Sequence, residues 1–594
     1  MSTFKIHPSI GMARVGNSEQ YYLGPEQVGG LPINLDGTPV KATELRDGEQ
    51  KIKRQAARFR VFRYEGSEAY EVEIGKDNVA AIEWTVHLAN KKSVWYEFHI
   101  HRGSNGYSPD HPLRNSKIRG EARRRLIIDG GPGRLAGPNQ RKDFSRSAPR
   151  QQEFTNYPIN FPPERLAPFT IDSLGSMITD AKGRLHVVGG YGRSGSEKAI
   201  PVLPEYANND GWYDDTSDGP VTATIVMKDG SRIEAAPAWV MVGPPSYAPE
   251  IQNLVTLHDT MFDVAVREMG MRPEMFKDGL WNPEYRPSFV GEILPILRRG
   301  IAFNWVVNIP NVPHTFTDAM LMNLGNPDSR YNALRHYFLD VFRSPDDPNL
   351  FMSARGTPLM PYLAGDGALE APRDTAKYQT LTRTQFFLFQ QWARGIFSED
   401  AIPIPDGRGE ALDRAVLSNL VGAAFSPGIE MSWNCRKPGI YSEPFRLRHR
   451  GPIGSYKLTL GENVAQGMEP GDATKYMAIP WQADFNECAG QDIEHFTEKG
   501  SHVNWVWWWP AQRPIMVFAD ADASKGRQFV SWVGQIDDYT REDYMKFEDN
   551  LEMVTAWKDL GFIYNVGTAQ DPNFVEVARL APRDLGVSKP APKK

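Results

Sequence analysis

The run Ala80-Ala81-Ile82-Glu83-Trp84-Thr85-Val86-His87-Leu88 decides the character of the N-terminal part of this chain. Its large apolar residues recur at every second position, which in an extended chain places them on one face. Comparable β-branched or alternating runs are Phe59 to Tyr64, Val94 to His101, Arg125 to Asp129, Leu185 to Val188 and Val221 to Met227, separated by Gly, Pro, Asn and Asp clusters. Residues 1–245 are therefore predicted to be strand-rich. Beyond Ile251 the period changes: Leu254 to Met269, Tyr331 to Phe342 and Tyr378 to Phe397 carry apolar residues at helical spacing. From Phe425 to Val533 strand-like pieces and Gly/Pro loops return, and Thr540 to Leu560 reads as a helix with Thr540 as its N-cap. The predicted class is α+β, with strand-rich N- and C-terminal segments around a helical middle. The expected regions are 1–245, 246–424 and 425–594, sharing one extended, multi-lobed core.

Bulk properties exclude several classes of function. The 594 residues are 41% hydrophobic and 24% charged, with a net charge of −6 and well-mixed signs. This is ordinary globular composition and gives no electrostatic footprint for nucleic acid. The basic run Lys117 to Arg125 is short, interrupted by Glu121, and reads as a solvated edge or turn. No stretch approaches the roughly 20 apolar residues of a membrane span, and the N-terminus lacks a signal-peptide core. Synthesis as a cytoplasmic protein is expected, with export by an unconventional route left open. Two cysteines are too few for a disulfide framework.

Most candidate motifs have a bland reading. Gly190-Tyr191-Gly192-Arg193-Ser194-Gly195 matches the dinucleotide pattern and follows a predicted strand. That pattern needs a helix to begin there, and Pro201 and Pro204 oppose one. It reads as a glycine-rich turn, which disfavours a nicotinamide oxidoreductase. His99 and His101 would share one face of a strand, but no further ligands stand at metal-site spacing. Residues 208–220 hold many turn formers and aspartates without the ligand order of a calcium loop, so a rigid, hydrogen-bonded loop that could wall a site is expected. No G-x-S-x-G elbow occurs.

The remaining candidate is Trp481-Gln482-Ala483-Asp484-Phe485-Asn486-Glu487-Cys488-Ala489-Gly490. On a helix, the spacing of Asp484 and Cys488 puts carboxylate and sulfur on one face. A nearby carboxylate raises a thiol pKa, so Asp484 would be a poor activator of a cysteine nucleophile. Spacing alone favours a small buried cysteine beside a capping aspartate.

Several separated blocks resemble one known family. They are Ile6-His7-Pro8-Ser9-Ile10-Gly11-Met12-Ala13-Arg14-Val15-Gly16-Asn17-Ser18, Ala207 to Pro220, Pro427-Gly428-Ile429-Glu430, and Pro480 to Cys488. Together they resemble the LodA-like quinoproteins, bacterial lysine ε-oxidases and glycine oxidases carrying cysteine tryptophylquinone, over residues 6 to about 562. The resemblance implies that the sulfur of Cys488 is bonded to the indole of a downstream tryptophan that is also oxidised to an ortho-quinone. It also implies that Asp484 serves cofactor formation and proton abstraction. Trp557, in Ala556-Trp557-Lys558-Asp559-Leu560-Gly561-Phe562, fits the family's partner best; Trp505, Trp507, Trp508, Trp509 and Trp532 also follow Cys488. His502 is a further expected site residue, and Cys435 is the alternative sulfur, expected to line the substrate channel. No metal is expected.

The implied reaction is oxidative deamination of an amino acid or small primary amine with O2, giving an aldehyde or oxo acid, ammonia and hydrogen peroxide. The resemblance further implies a flavoprotein maturation partner, and a homo-oligomer is expected. The competing class is a LodA-like protein without the quinone, serving as a scaffold or interaction protein.

Overall fold

The computed structural model describes residues 2–99, 107–307, 317–346, 352–353, 356, 359–361, 363, 378–400, 408–422, 431, 434–461, 466–487, 491–495, 502–506, 509–519, 529–533, 549–569 and 571–580, with backbone alone for 491–495, 502–506 and 529. Nine strands build the main sheet: β1 (Ile10–Arg14), β2 (Arg54–Glu65), β3 (Val79–Asn90), β4 (Ile128–Ala136), β5 (Arg141–Ser145), β6 (Ser173–Thr179), β7 (Leu185–Val188), β8 (Ser217–Met227) and β9 (Ala238–Gly243). Their spatial order is β4-β3-β8-β9-β1-β2-β7-β6-β5, with shorter strands added along β2 and β8. Neighbours are antiparallel except β9 and β1, which run parallel. The end strands β4 and β5, consecutive in the chain, pack together, so the sheet curls into a barrel-like form.

The alternation of the 80–88 run acts as expected. Ile82, Trp84 and Val86 stand opposite Ile225, Ala223 and Val221 of β8, and all six are buried in the main core. Each large apolar side chain removed from water here contributes roughly 1.5–3 kcal/mol. On the other face Glu83 pairs with Arg232 near solvent. The last residues of β3 depart from alternation: His87, Leu88, Ala89 and Asn90 are all buried. This end of the barrel is therefore covered on both faces.

Two expected strands are corrected. Val94 to His101 does not extend β3, because a 3-10 turn at Lys92–Val94 ends the run and a loop follows. Backbone groups there make an isolated antiparallel bridge, between Tyr96 and Leu113, and bonds to side chains, as where Phe98 N donates to Asn208 Oδ1; Ile100 and His101 lie outside the described residues. Of Arg125 to Asp129, the first part belongs to a 3-10 segment, Gly120–Leu126, and β4 begins only at Ile128. Nor is the basic run wholly solvated. Arg123 is buried and donates to the carbonyls of Asn115, Ile118, Val94 and Arg114.

The helical middle forms as read. Helix α1 (Leu257–Met269) starts at a Thr256/Asp259 capping box and stops at Gly270, whose φ of 65° is left-handed. Helix α2 spans Asn332–Val341, α3 spans Arg383–Ala393 behind a Thr382/Gln385 box, and α4 spans Gly409–Ser418. Two short helices near the C-terminus matter for function: α5 (Trp481–Glu487) and α6 (Asn550–Ala556). The helix expected over 540–560 is shorter where it is described, because Asp549 caps it by accepting from Glu552 N; Thr540 lies outside the described residues. Among the described residues, no helix is long and apolar enough to cross a membrane.

Candidate active site

Helix α5 is seated on the closed end of the barrel through buried charge. Lys92, just past β3, donates from Nζ to Asp214 Oδ2 at 2.5 Å and to Ala478 O at 2.9 Å. Both side chains of this pair are fully buried. Asp214 Oδ2 also accepts from the backbone N of Trp481, the first residue of α5, at 3.0 Å. Its other oxygen takes bonds from Asn90 Nδ2 and Thr216 Oγ1. Burial pushes the Lys92 ammonium down from its ordinary range, while Asp214 and the nearby Asp484 carboxylate oppose that shift.

The preceding segment is held in the same way. Asp218 accepts from Ala473 N, Thr474 N and Trp239 Nε1. Asn209 Nδ2 reaches Ile479 O and Arg114 Nη1 reaches Met477 O. Asn209, Asp214 and Asp218 of the aspartate-rich stretch 208–220 thus seat the segment that leads into α5. The hydrogen bonding of the stretch matches the expected rigid loop, although part of it is strand (Trp212–Asp214 and the start of β8). No group of three or more metal-ligating residues occurs among the described residues.

Asp484 lies in the middle of α5 and is 4% exposed. Trp557 opens the 3-10 turn Trp557–Asp559 that follows α6, and it too is buried. Its ring packs edge-on against Trp481 of α5 at 5.4 Å between centroids. Phe485, one turn along α5, packs on Trp481 at 5.1 Å and on Trp509 at 5.1 Å. Helices α5 and α6 are joined by Asn486 Nδ2 donating to Asn550 Oδ1 at 2.8 Å. The turn that Trp557 opens is fixed from two sides. Tyr247 OH donates to the Trp557 carbonyl at 2.8 Å, and Arg46 donates to the carbonyls of Lys558 and Leu560. Arg513 Nε caps the far end of α5 at Phe485 O.

Trp557 is brought against the helix that carries Asp484. Cys488 follows Glu487 directly in sequence and lies outside the described residues, as do Trp507 and Trp508. His502 begins a strand, His502–Val506, that pairs antiparallel with Gln491–His495; it is described by backbone only, as is Trp505. Trp509 is core packing against Phe485, and Trp532 spends its Nε1 on Gly561 O. Cys435 is corrected from a channel wall to a core position. It is fully buried with Ile10, Met12 and Trp239, and burial pushes its thiol up to about 12. The Gly190–Gly195 turn leads into a strand, Ser194–Ser196, not a helix, as the prolines foretold. His99 sits on a loop instead of a strand face, where its backbone N donates to Tyr107 OH.

Asp484 is thus buried on the helix whose Trp481 packs against Trp557, near enough to Lys92 to favour its charged form. Residues 7–242 match the family described as L-Lysine epsilon oxidase N-terminal, and residues 365–509 match the L-lysine epsilon oxidase C-terminal domain. A curated L-lysine 6-oxidase of Marinomonas mediterranea is 33% identical over 663 aligned positions, covering 97% of this chain and 89% of that protein. The chain belongs to the L-lysine epsilon oxidase, or LodA-like, family. Its fold is similar to the crystal structure of the L-Lys epsilon-oxidase from Marinomonas mediterranea, with TM-score 0.83, 29% identity, and coverage of 97% of this chain and 95% of that one. A structure of the Schiff base intermediate of that oxidase with L-Lys matches with TM-score 0.82, 29% identity and the same coverage.

Within this LodA-like frame, several site-building residues escape sequence reading. Lys92, Asp214, Arg46 and Gly192 come from the N-terminal region, Tyr247 from just beyond it, and Gln482 and Arg513 from the C-terminal part. Two signals were available: the density of aspartates near residue 214, which pointed to a site wall without saying what it supports, and the glycine pattern at 190–195, which pointed only to a turn.

Proposed function

We propose that this chain is a quinoprotein amine oxidase whose cofactor, a cysteine tryptophylquinone, is made from its own Cys488 and Trp557. The observation that carries the reading is the juxtaposition of Trp557 with α5, the helix that bears Asp484 and directly precedes Cys488 in sequence. The residues fit the group. The Trp557 indole is buried, its carbonyl is held by Tyr247, the carbonyls after it are held by Arg46, and Gly192 offers its ring no side chain to collide with. Family membership does not favour scaffold duty without a quinone.

The quinone would supply an electrophilic carbonyl and an electron sink. The protein's own groups do the rest. Asp484, withdrawn from water in α5, takes the proton from the carbon bearing nitrogen; general-base help of this kind contributes about 10²–10⁴-fold. The Lys92–Asp214 pair holds the first residue of α5 and so fixes the base's position. Trp481, Phe485 and Trp509 form an apolar wall that excludes water. In the net reaction the amine carbon loses two electrons, which reduce O2 to hydrogen peroxide. Water enters and ammonia leaves.

The curated relative's name supports the ε-amino group of L-lysine as substrate, with glycine the second candidate. A flavoprotein maturation partner, a homo-oligomeric state, a site role for His502, synthesis in the cytoplasm and the three-region division at about 245 and 425 belong to the same proposal. The test joins intact-mass analysis of protein from the native host with a peroxide-release screen over amino acids and simple amines. Expected are two oxygens gained and four hydrogens lost, peroxide with one substrate class, and turnover at least about a hundredfold lower in Asp484→Ala. An unmodified mass, or normal turnover in Asp484→Ala, would sink the assignment.

A further inference from the structure

The glycine turn at 190–195 has the spacing of a phosphate loop, yet what it accommodates is a side chain. Gly192 has φ +71°, and a methyl group on it would stand 2.2 Å from Cζ2 and 2.7 Å from Cη2 of Trp557. Those are atoms of the six-membered ring, the one that an ortho-quinone requires. The ring has little freedom to withdraw, since Trp481 bounds it, Tyr247 holds the Trp557 carbonyl and Arg46 holds the carbonyls of Lys558 and Leu560 just after it.

The turn is equally fixed. Gln482 Nε2 donates to Gly192 O at 3.1 Å, and Ser194 Oγ donates to Gln482 Oε1 at 2.6 Å. Tyr191 N donates to Asp215 Oδ2 at 2.6 Å, and that carboxylate approaches so closely that a methyl on Gly190 would lie 2.6 Å from it. Gln482 belongs to α5, two residues before Asp484. One turn is thus pinned to the helix of the proposed base and, through a missing side chain, fitted to the Trp557 ring.

We propose that Gly192 is a positioning residue for the modification of Trp557: its bare backbone, tied to α5 through Gln482, sets where the indole sits relative to the helix that leads into Cys488. This rests on the reading of Trp557 as the cofactor tryptophan. In that modification one S–H and one ring C–H are lost as the S–C bond forms, and two ring C–H groups become C=O. Dioxygen, acting with the flavoprotein partner, is both the oxygen source and the hydrogen acceptor. A displaced ring would block the chemistry without unfolding the barrel.

The test compares Gly192→Ala with Gly211→Ala, each made in the native host. Gly211 has φ +79°, so alanine there carries a similar left-handed strain, but its methyl would meet only Ser196 Oγ at 3.9 Å. Intact mass and visible absorption are read on the soluble protein, and unfolding temperatures are compared in the Trp557 and Trp557→Phe backgrounds. Expected are modified wild type and Gly211→Ala, an unmodified Gly192→Ala, and an extra loss of thermal stability in Gly192→Ala that disappears when the indole is absent. Full modification of Gly192→Ala overturns the proposal, and so does an extra loss that persists with Phe at 557. If Gly192→Ala does not accumulate, the Phe background decides: accumulation matching Gly211→Ala supports the proposal and failure overturns it. An unmodified wild type would refute the cofactor reading alone, while the stability coupling would still judge the seat.

Discussion

Replacing Lys92 by Met isolates the role of the buried ion pair under α5. At 2.5 Å and an effective dielectric of 20, the direct attraction between Lys92 and Asp214 is about 7 kcal/mol. Much of that offsets the desolvation of two charges, and breaking one partner of such a pair typically costs about 3–5 kcal/mol. Asp214 would keep its bonds from Asn90 Nδ2, Thr216 Oγ1 and Trp481 N, which places Lys92→Met at the low end, about 3 kcal/mol. Because the cost falls where α5 joins the barrel, it should appear as local opening before global unfolding. About 3 kcal/mol corresponds to a roughly hundredfold faster hydrogen exchange in peptides covering 473–487. Asp214→Asn alone should also loosen this segment. The double variant, Lys92→Met with Asp214→Asn, should exchange more slowly than Lys92→Met, because no unpaired charge is left. Unchanged exchange in Lys92→Met, or a double variant looser than the single, would refute the argument that this charge pair seats the helix.

Two further predictions concern buried titratable groups. Burial pushes the Asp215 carboxyl up to about 7, against the backbone amides of Arg193 and Tyr191 that bond to it. Its folded pKa is raised above the unfolded value, so its contribution to stability is fully present below about pH 4 and is lost as pH rises through about 7. Asp215→Asn should therefore gain thermal stability relative to wild type at pH 8, with the difference shrinking toward pH 4; a difference independent of pH would contradict this. The Cys435 thiol, fully buried and pushed up to about 12, should resist alkylation by iodoacetamide at pH 8 in the folded protein and react after denaturation. Peptide mass analysis reads this directly, and labelling of the native protein would show that the site opens.

Much of this protein was determined by local pattern. The alternation at 80–88 and 221–227 placed β3 and β8, because one-faced burial leaves a period of two in the sequence. Helical spacing placed α1 and α3, since an apolar stripe is a local feature. The prolines after the glycine turn correctly ruled out a helix there. Composition and the family blocks around Asp484 and Cys488 supplied the chemistry to look for. What sequence reading missed was decided over long separations. Val94 to His101 looked like a strand, but its described part, 94–99, leaves the sheet after the turn at which Lys92 points inward to meet Asp214 and Ala478. Nothing near Lys92 announces a carboxylate 122 positions away. Gly192 looked like a failed nucleotide loop because the indole that needs its missing side chain lies hundreds of residues later. Propensity and periodicity register only neighbours along the chain, whereas buried charge pairing and exclusion of a single methyl group depend on which distant atoms the fold brings together, so the tertiary structure alone assigned those roles.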